Sequence, residues 1–252
     1  MDNKTQLNAV NRTILILETL SKIKKINLEQ LAKKTELPKP TLIRFLNSLI
    51  TLGYVYRDEN DLYSLTLKMF SVGSNSLSHI NLIDIATPFI DEICNHFKET
   101  VHMGIMDGDR AVYILKRESS YTIRMYSRVG KRIPLYCTAI GKNLLCDEDK
   151  DFLNKYLSTT EFKPYTKHTL NKNQLVEQLE LIKKRGWASD EQEHEEGITC
   201  IGSSIRDYSG KVVAALSVSW PLFRFEKDKK DEIIKEIVET CDKISSLLGY
   251  RK

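Results

Sequence analysis

Long apolar runs are missing from this 252-residue chain; the longest are four or five residues, as in Ile14–Leu17 and Val212–Leu216. A helix that spans a bilayer needs about 20, so no membrane partner is expected. The opening Met1-Asp2-Asn3-Lys4-Thr5 has no apolar signal core, which predicts a cytoplasmic protein. Cysteine is sparse and odd in number: Cys94, Cys137, Cys146, Cys200 and Cys241, with no CxxC pair. That excludes a disulfide framework and predicts reduced, buried thiols. Six prolines and 11 glycines are too few for a collagenous or mainly disordered chain. There is no P-loop, no GxGxxG and no internal repeat. The five histidines, His79, His96, His102, His168 and His194, lack metal-ligand spacing such as HxxxH. Neither a cofactor nor a metal is expected.

What is present is unevenly distributed. Residues 1–78 hold 11 Lys and Arg against 7 Asp and Glu, whereas residues 79–252 hold 27 of each. The whole net charge of +4 therefore sits in the N-terminal third. A small basic segment joined to a neutral larger one suggests a polyanion reader attached to something else, although four charges are few.

Periodicity predicts a helix over 8–21, another behind the N-cap Asn27, a tight connector at Thr35-Glu36-Leu37-Pro38, and a third helix over 39–52 ending at Gly53. Residues 54–57 and 62–65 form a hairpin signal around Asp58-Glu59-Asn60-Asp61, and 66–79 reads as a linking helix. Further on, helices are predicted over 81–99, 139–146, 150–157, 174–185 and 226–248. Strands are predicted over 101–106, 111–116, 122–127, 198–205 and 212–220. Strands flanked by helices with hairpin connections indicate an α+β domain. The domains are placed at 1–65 (winged helix–turn–helix), 66–80 (linking helix) and 81–252.

In the third helix Leu42, Phe45, Leu46, Leu49 and Ile50 make one apolar seam. The opposite face carries Lys39, Thr41, Ile43, Arg44, Asn47 and Ser48. Arg can read guanine, Asn can read adenine, and Lys, Thr and Ser can hold phosphates. A solvated helix face has the same composition; the short connector, the hairpin and the local charge favour a DNA-reading winged helix.

Leu37-Pro38-Lys39-x-Thr41-x-x-Arg44-x-Leu46 with Leu52-Gly53-Tyr54-Val55 resembles the DNA-binding domain of the IclR family of bacterial transcriptional regulators. Tyr126-Ser127-Arg128-Val129-Gly130, Pro134 to Lys142, and Gly186-x-x-x-Asp190-x-x-Glu193 running on to Cys200-Ile201-Gly202-x-x-Ile205 resemble its effector domain. The resemblance covers about residues 8–250. Arg124 to Arg128 and Glu195-Glu196-Gly197-x-x-Cys200-Ile201 are most similar to the branch governing 2-keto-3-deoxygluconate (pectin-breakdown) metabolism. It implies a GAF-like effector domain, double-stranded DNA with a palindromic operator as partner, and a homodimer or homotetramer joined through the linking helix and winged domain. A small 2-oxo acid such as 2-keto-3-deoxygluconate is the implied effector, relieving repression. A different oxoacid such as pyruvate or glyoxylate, or an activator role, is the alternative. The chain departs from the family at Glu36, where Gly is usual, and at Pro40, where Ser is usual. A Glu held in the left-handed region costs about 1–2 kcal/mol, which predicts a differently built turn. The acidic hairpin tip would repel phosphate, and Arg206 stands where an aromatic or His is usual.

Thr138 is an N-cap candidate whose helix would offer its first N–H groups to a carboxylate. Ser217 and Ser219 alternate with Leu216 and Val218, so both hydroxyls face one side of a strand. Either they bond neighbouring backbone and Cys200 is core, or a polar ligand supplies partners. The resemblance places the effector against the N–H groups of Ala139 and Ile140 and against Asp190, Cys200, Ser217 and Ser219. Met125, Ile133 and Ile198 form the apolar wall. Asp190, His194 and Cys200 could suggest a thiol enzyme, but their spacing carries no geometry. Glu193-His194-Glu195-Glu196 reads as a solvated acidic loop. No catalytic residue is assigned.

Overall fold

The computed structural model describes residues 9–77 and 81–251. Asn8, at the expected start of the first helix, and His79, at the expected end of the linking helix, lie outside the described residues. The chain divides into two compact units between Ile80 and Asn81.

The first unit comprises α1 (Ala9–Ser21), β1 (Ile26–Asn27), α2 (Leu28–Thr35), α3 (Lys39–Thr51), β2 (Val55–Arg57), β3 (Leu62–Leu65) and α4 (Lys68–Leu77). Its small antiparallel sheet has the order β1-β3-β2. Ile16, Leu20, Leu31, Leu42, Leu46 and Leu49 from the helices bury against Ile26, Val55 and Tyr63 from the strands. Asn27 caps α2, its side chain accepting from Gln30 N at 2.9 Å. Pro40 costs α3 nothing, because it lies in the first turn, where N–H groups have no intrahelical acceptor.

The connector departs from expectation. Glu36 occupies the left-handed region, with φ 57° and ψ 21°. The turn is therefore not rebuilt to spare the glutamate. Leu37 buries behind it and Pro38 directs the chain into α3, so the core holds the strained residue in place. Relieving that strain should stabilise this unit: Glu36→Gly is expected to slow hydrogen exchange of core α2 and α3 amides about fivefold, corresponding to roughly 1 kcal/mol.

The second unit is a six-stranded antiparallel sheet of order β6-β5-β4-β9-β8-β7. Its strands are β4 (Thr100–Asp107), β5 (Arg110–Arg117), β6 (Arg132–Pro134), β7 (Trp187–Glu191), β8 (Ile198–Arg206) and β9 (Val212–Pro221). Helices α5 (Leu82–Phe97) and α9 (Lys230–Leu247) cover one face, packing on Val101, Met103, Ile201, Leu216 and Val218. Helices α6 (Ala139–Leu145), α7 (Lys150–Thr159) and α8 (Lys172–Arg185) belong to the core on the other face, with Ala111, Tyr113, Ile133 and Ala215.

Three expectations need correction. Residues 122–127 are irregular rather than a strand. The outer edge of β5 is taken by 130–134 instead: Gly130 N donates to Tyr113 O, Tyr113 N donates to Lys131 O, and β6 continues the pairing. Strand β7 lies where the sequence predicts no strand, because Trp187-Ala188-Ser189-Asp190-Glu191 is too polar to stand out; charge of this kind suits an edge strand. Helix α9 starts at Lys230 rather than Glu226, since Leu222–Arg224 and Lys227–Lys229 form separate 3-10 turns. Arg206, the departure from the family pattern, ties down the turn that follows β8 by donating to Gly210 O and to Asp147.

Candidate effector pocket and nucleic-acid interface

Along β4, Thr100, His102 and Gly104 alternate with the core residues Val101 and Met103. Strand register places Asp190, Cys200, Ser219 and Thr100 in one row across β7, β8, β9 and β4. Gly202, Ser217 and His102 form the row beside it. All of these side chains except the glycine's are buried. The structure thus brings Asp190, Cys200, Ser217 and Ser219 together on the α6 side of the sheet. Ile198 lies two residues before Cys200 on the same strand face and is half-buried. Ile133 is buried with Ala111, Tyr113 and Ile140, and Met125 is buried in the irregular segment after β5.

Helix α6 lies close to the chain that precedes it. A Cβ on Gly141 would sit 2.3 Å from Leu135 Cα, and one on Gly104 would meet Ile140 Cγ2 at 3.0 Å. Thr138 Oγ1 accepts from Gly141 N and donates to Pro134 O. Ala139 and Ile140, the first two helical residues, have no intrahelical acceptor for their N–H groups.

Burial governs the electrostatics. Asp190 Oδ1 accepts from the backbone N of Glu193 at 2.7 Å and of His194 at 3.4 Å. Burial, and then the Glu193 charge, push its carboxyl up to about 7. Burial also raises the Cys200 thiol well above its ordinary value; it donates to Ser219 Oγ at 3.2 Å. So Ser219 bonds Cys200 rather than backbone.

Residues beyond those the sequence points to also enter the site. His102 is fully buried, contacts Ser127 Oγ through Nε2 at 2.7 Å and stacks on Tyr113 with ring centroids 4.3 Å apart. Burial first, then Lys116 and Lys131, lower its pKa to about 3, so the ring is neutral. Lys142 of α6, only 1% exposed, donates to Glu193 Oε1 at 2.5 Å. The acidic run from Glu193 is therefore not simply a solvated loop: its first member is buried against a lysine and only Glu195 and Glu196 are exposed. The available sequence signal was the alternation on β4, where a polar His102 shares a face with Thr100. Nothing local distinguishes Lys142 from a surface lysine. Among the described residues no group of three or more His, Cys, Asp or Glu could hold a metal ion.

In the first unit Lys39, Arg44, Asn47 and Ser48 are exposed on α3, and Thr41 is half-buried. Arg44 lies against the Phe45 ring, 5.3 Å from its centroid, and Ser48 Oγ donates back to Arg44 O. Two carboxylates of the hairpin tip are paired: Asp58 accepts from Lys25, which precedes β1, at 2.7 Å and from the amides of Asn60 and Leu62, while Asp61 pairs with Arg57. These contacts hold the Asp58 carboxyl below its ordinary range, the Lys25 hydrogen bond foremost.

Residues 9–59 match the IclR helix-turn-helix domain, and residues 74–246 match the bacterial transcriptional regulator IclR C-terminal domain. The chain is 39% identical to the HTH-type transcriptional regulator KdgR of Dickeya chrysanthemi over 246 residues, 97% of this chain and 81% of that protein. It is 38% identical to the HTH-type transcriptional regulator KdgR of Escherichia coli K12 over 246 residues, 97% of this chain and 94% of that one. The crystal structure of the Thermotoga maritima IclR superposes with a TM-score of 0.65 at 34% identity, covering 97% of this chain and 100% of that one. Among the described residues no helix is long and apolar enough to cross a membrane.

Two stability measurements follow from the buried charges. Lys142→Met leaves Glu193 buried without its cation and should cost about 3–5 kcal/mol, whereas Lys142→Met with Glu193→Leu should recover most of that loss. Urea titration followed by fluorescence of Trp187 and Trp220 reads both. The second concerns pH. His102 and His194, lowered to about 3 and about 4, stay neutral in the fold, so acidification below about pH 6.5 favours the unfolded chain. Asp190 acts oppositely, taking up a proton in the fold near pH 7 that the unfolded chain takes up only near 3.8. Asp190→Asn removes this offset, so between pH 6 and 5 stability should fall more steeply than in the wild type by about 1.4 kcal/mol per pH unit.

Proposed function

The chain belongs to the IclR family of bacterial transcriptional regulators, and from that premise we propose that it is a repressor released from a palindromic operator by a small 2-oxo sugar acid. It is a DNA-binding regulator and not an enzyme. Residues 1–65 read DNA, 66–80 link, and 81–252 bind the effector. The observation that carries the proposal is the division of α3, with Leu42, Leu46 and Leu49 buried and Arg44 and Asn47 exposed beside Lys39. Arg44 and Asn47 contact bases, while Lys39, Thr41 and Ser48 hold phosphates. A palindrome is read by a symmetric dimer or a dimer of dimers, joined through the linking helix and the winged unit.

In the effector unit, the acid's carboxylate meets the Ala139 and Ile140 amides with help from Ser217 and Ser219. Asp190 accepts from its hydroxyls and disfavours a second carboxylate, which selects a monoacid. Cys200, between Asp190 and Ser219 in the same row, is a further contact, with Met125, Ile133 and Ile198 as apolar wall. The burial of Asp190, Cys200, Ser217 and Ser219 on one sheet face supports this placement. The likeness of Arg124 to Arg128 and Glu195 to Ile201 to the pectin-breakdown branch points to 2-keto-3-deoxygluconate. Effector and DNA are linked reciprocally: an acid that weakens DNA binding tenfold binds the DNA complex tenfold less well, a coupling of about 1.4 kcal/mol.

Footprinting on the protein's own promoter tests the DNA half. Arg44→Ala should cost about 1–3 kcal/mol on the specific site and relax base preference. Lys39→Ala should weaken all sites alike and reduce the salt slope by about one. An Arg44→Ala protein with unchanged affinity and preference would exclude α3 as the reading helix. Gel shifts with added 2-keto-3-deoxygluconate test the other half: wild-type protein should release the promoter, while Ser217→Ala with Ser219→Ala should bind DNA normally and need more acid for release.

A further inference from the structure

We propose that His102 is an effector-contacting residue, its Nδ1 pairing with the oxo or hydroxyl oxygen at C2 of the bound acid. The assignment rests on the effector function proposed above and adds to it a residue that selects among acids.

Three observations carry it. First, His102 stands within the polar rows. It lies directly across β4 and β9 from Ser217, whose other neighbour is Gly202, and two residues before Gly104, where Ile140 of α6 approaches the sheet. On the β9 and β8 side its row neighbours Ser217 and Gly202 are small, while on the other side β5 pairs it with Lys116, whose Nζ donates to Ser127 O. Second, the ring is held on two sides, by the Tyr113 stack and by Ser127 Oγ on Nε2. A preorganised ring loses little freedom when a ligand arrives. Third, Nδ1 is buried with no hydrogen-bond partner among the described residues. A buried polar atom without a partner destabilises the fold, and such atoms are rare in native proteins. A ligand oxygen would remove that penalty on binding.

The chemistry of the ring narrows the ligand group. The imidazole is neutral, so it offers no ionic attraction to a carboxylate. One nitrogen carries the proton and the other a lone pair. Ser127 Oγ can donate to Nε2 or accept from it, so its hydroxyl rotor accommodates either tautomer. With Ser127 donating, Nδ1–H donates to a ketone oxygen; with Ser127 accepting, Nδ1 accepts from a hydroxyl. His102 therefore suits a neutral oxygen next to the carboxylate and rejects a methylene there, which would leave Nδ1 unpaired. Ser127 belongs to the irregular segment that also carries the buried Met125, so the same contact reports C2 chemistry to that segment.

Calorimetry with pyruvate, lactate and propionate, which differ only at C2, tests the assignment on the full-length protein. Wild type should bind pyruvate and lactate at least tenfold more tightly than propionate. His102→Leu should bring the three within about threefold of one another, and His102→Asn, which keeps an amide near Nδ1, should restore part of the preference. The Ser217→Ala, Ser219→Ala protein should bind all three acids more weakly while keeping their order. If the serine variant is weakened but His102→Leu retains the wild-type order, His102 does not contact the acid and the effector site stands without it. Binding of none of the acids by wild type, nor of 2-keto-3-deoxygluconate, would overturn the effector function and this assignment together. Should the leucine variant fail to fold, the 15N resonance of His102 Nδ1 in wild type decides: pyruvate should shift it by several ppm and propionate should not, and an unmoved resonance at saturating pyruvate overturns the contact.

Discussion

The second unit depends on how little space separates α6 from the chain around it. Gly141 lies against the backbone of Leu135, and Gly104 admits the Ile140 side chain onto the sheet. Any larger residue at Gly141 would push the helix away, because its neighbour there is backbone and cannot rotate aside. Close packing of this kind fixes where the first turn of α6 ends up relative to Ser217 and Cys200. Thr138 adds direction, since its hydroxyl joins Pro134 before the helix to Gly141 within it.

The same closeness buries charge. Lys142 points inward from α6 and meets Glu193 beyond the end of β7, tying the helix to the edge of the sheet. Taking both ions out of water costs several kcal/mol each, so the pair contributes less to stability than to position. Its field reaches Asp190, where the glutamate raises the carboxyl and the lysine lowers it. Around this pair the interior is neutral: His102 is uncharged and the Cys200 thiol is protonated. A site made mostly of neutral donors and acceptors discriminates by hydrogen-bond matching more than by charge.

The first unit has a different economy. Its core is small, and it keeps Glu36 in a left-handed turn because Leu37 and the start of α3 must follow at that angle. Its polar groups are mostly exposed, and two carboxylates of the acidic hairpin tip are paired, Asp58 with Lys25 and Asp61 with Arg57. The tip therefore presents less unbalanced negative charge than its sequence suggests.

Local pattern by itself determined much of this protein. The α3 seam, the Asn27 and Thr138 caps, the hairpin and the alternation of Ser217 and Ser219 are legible because each depends on spacings of two to four residues. The same holds for the family motifs, which are runs of adjacent side chains. What only the tertiary structure decided lies where distant segments meet. Residues 122–127 have β-rich composition but form no strand, since 130–134 occupies the edge of β5. Strand β7 exists because β8 offers it an edge, although its own sequence is polar. Lys142 and Glu193 are 51 positions apart, and His102 and Ser127 are 25 apart, so neither pair has a local signature. Burial turns an ordinary lysine into a structural ion and an ordinary histidine into a neutral hydrogen-bonding ring, and burial is a property of the packed sheet and helices rather than of any short stretch of chain.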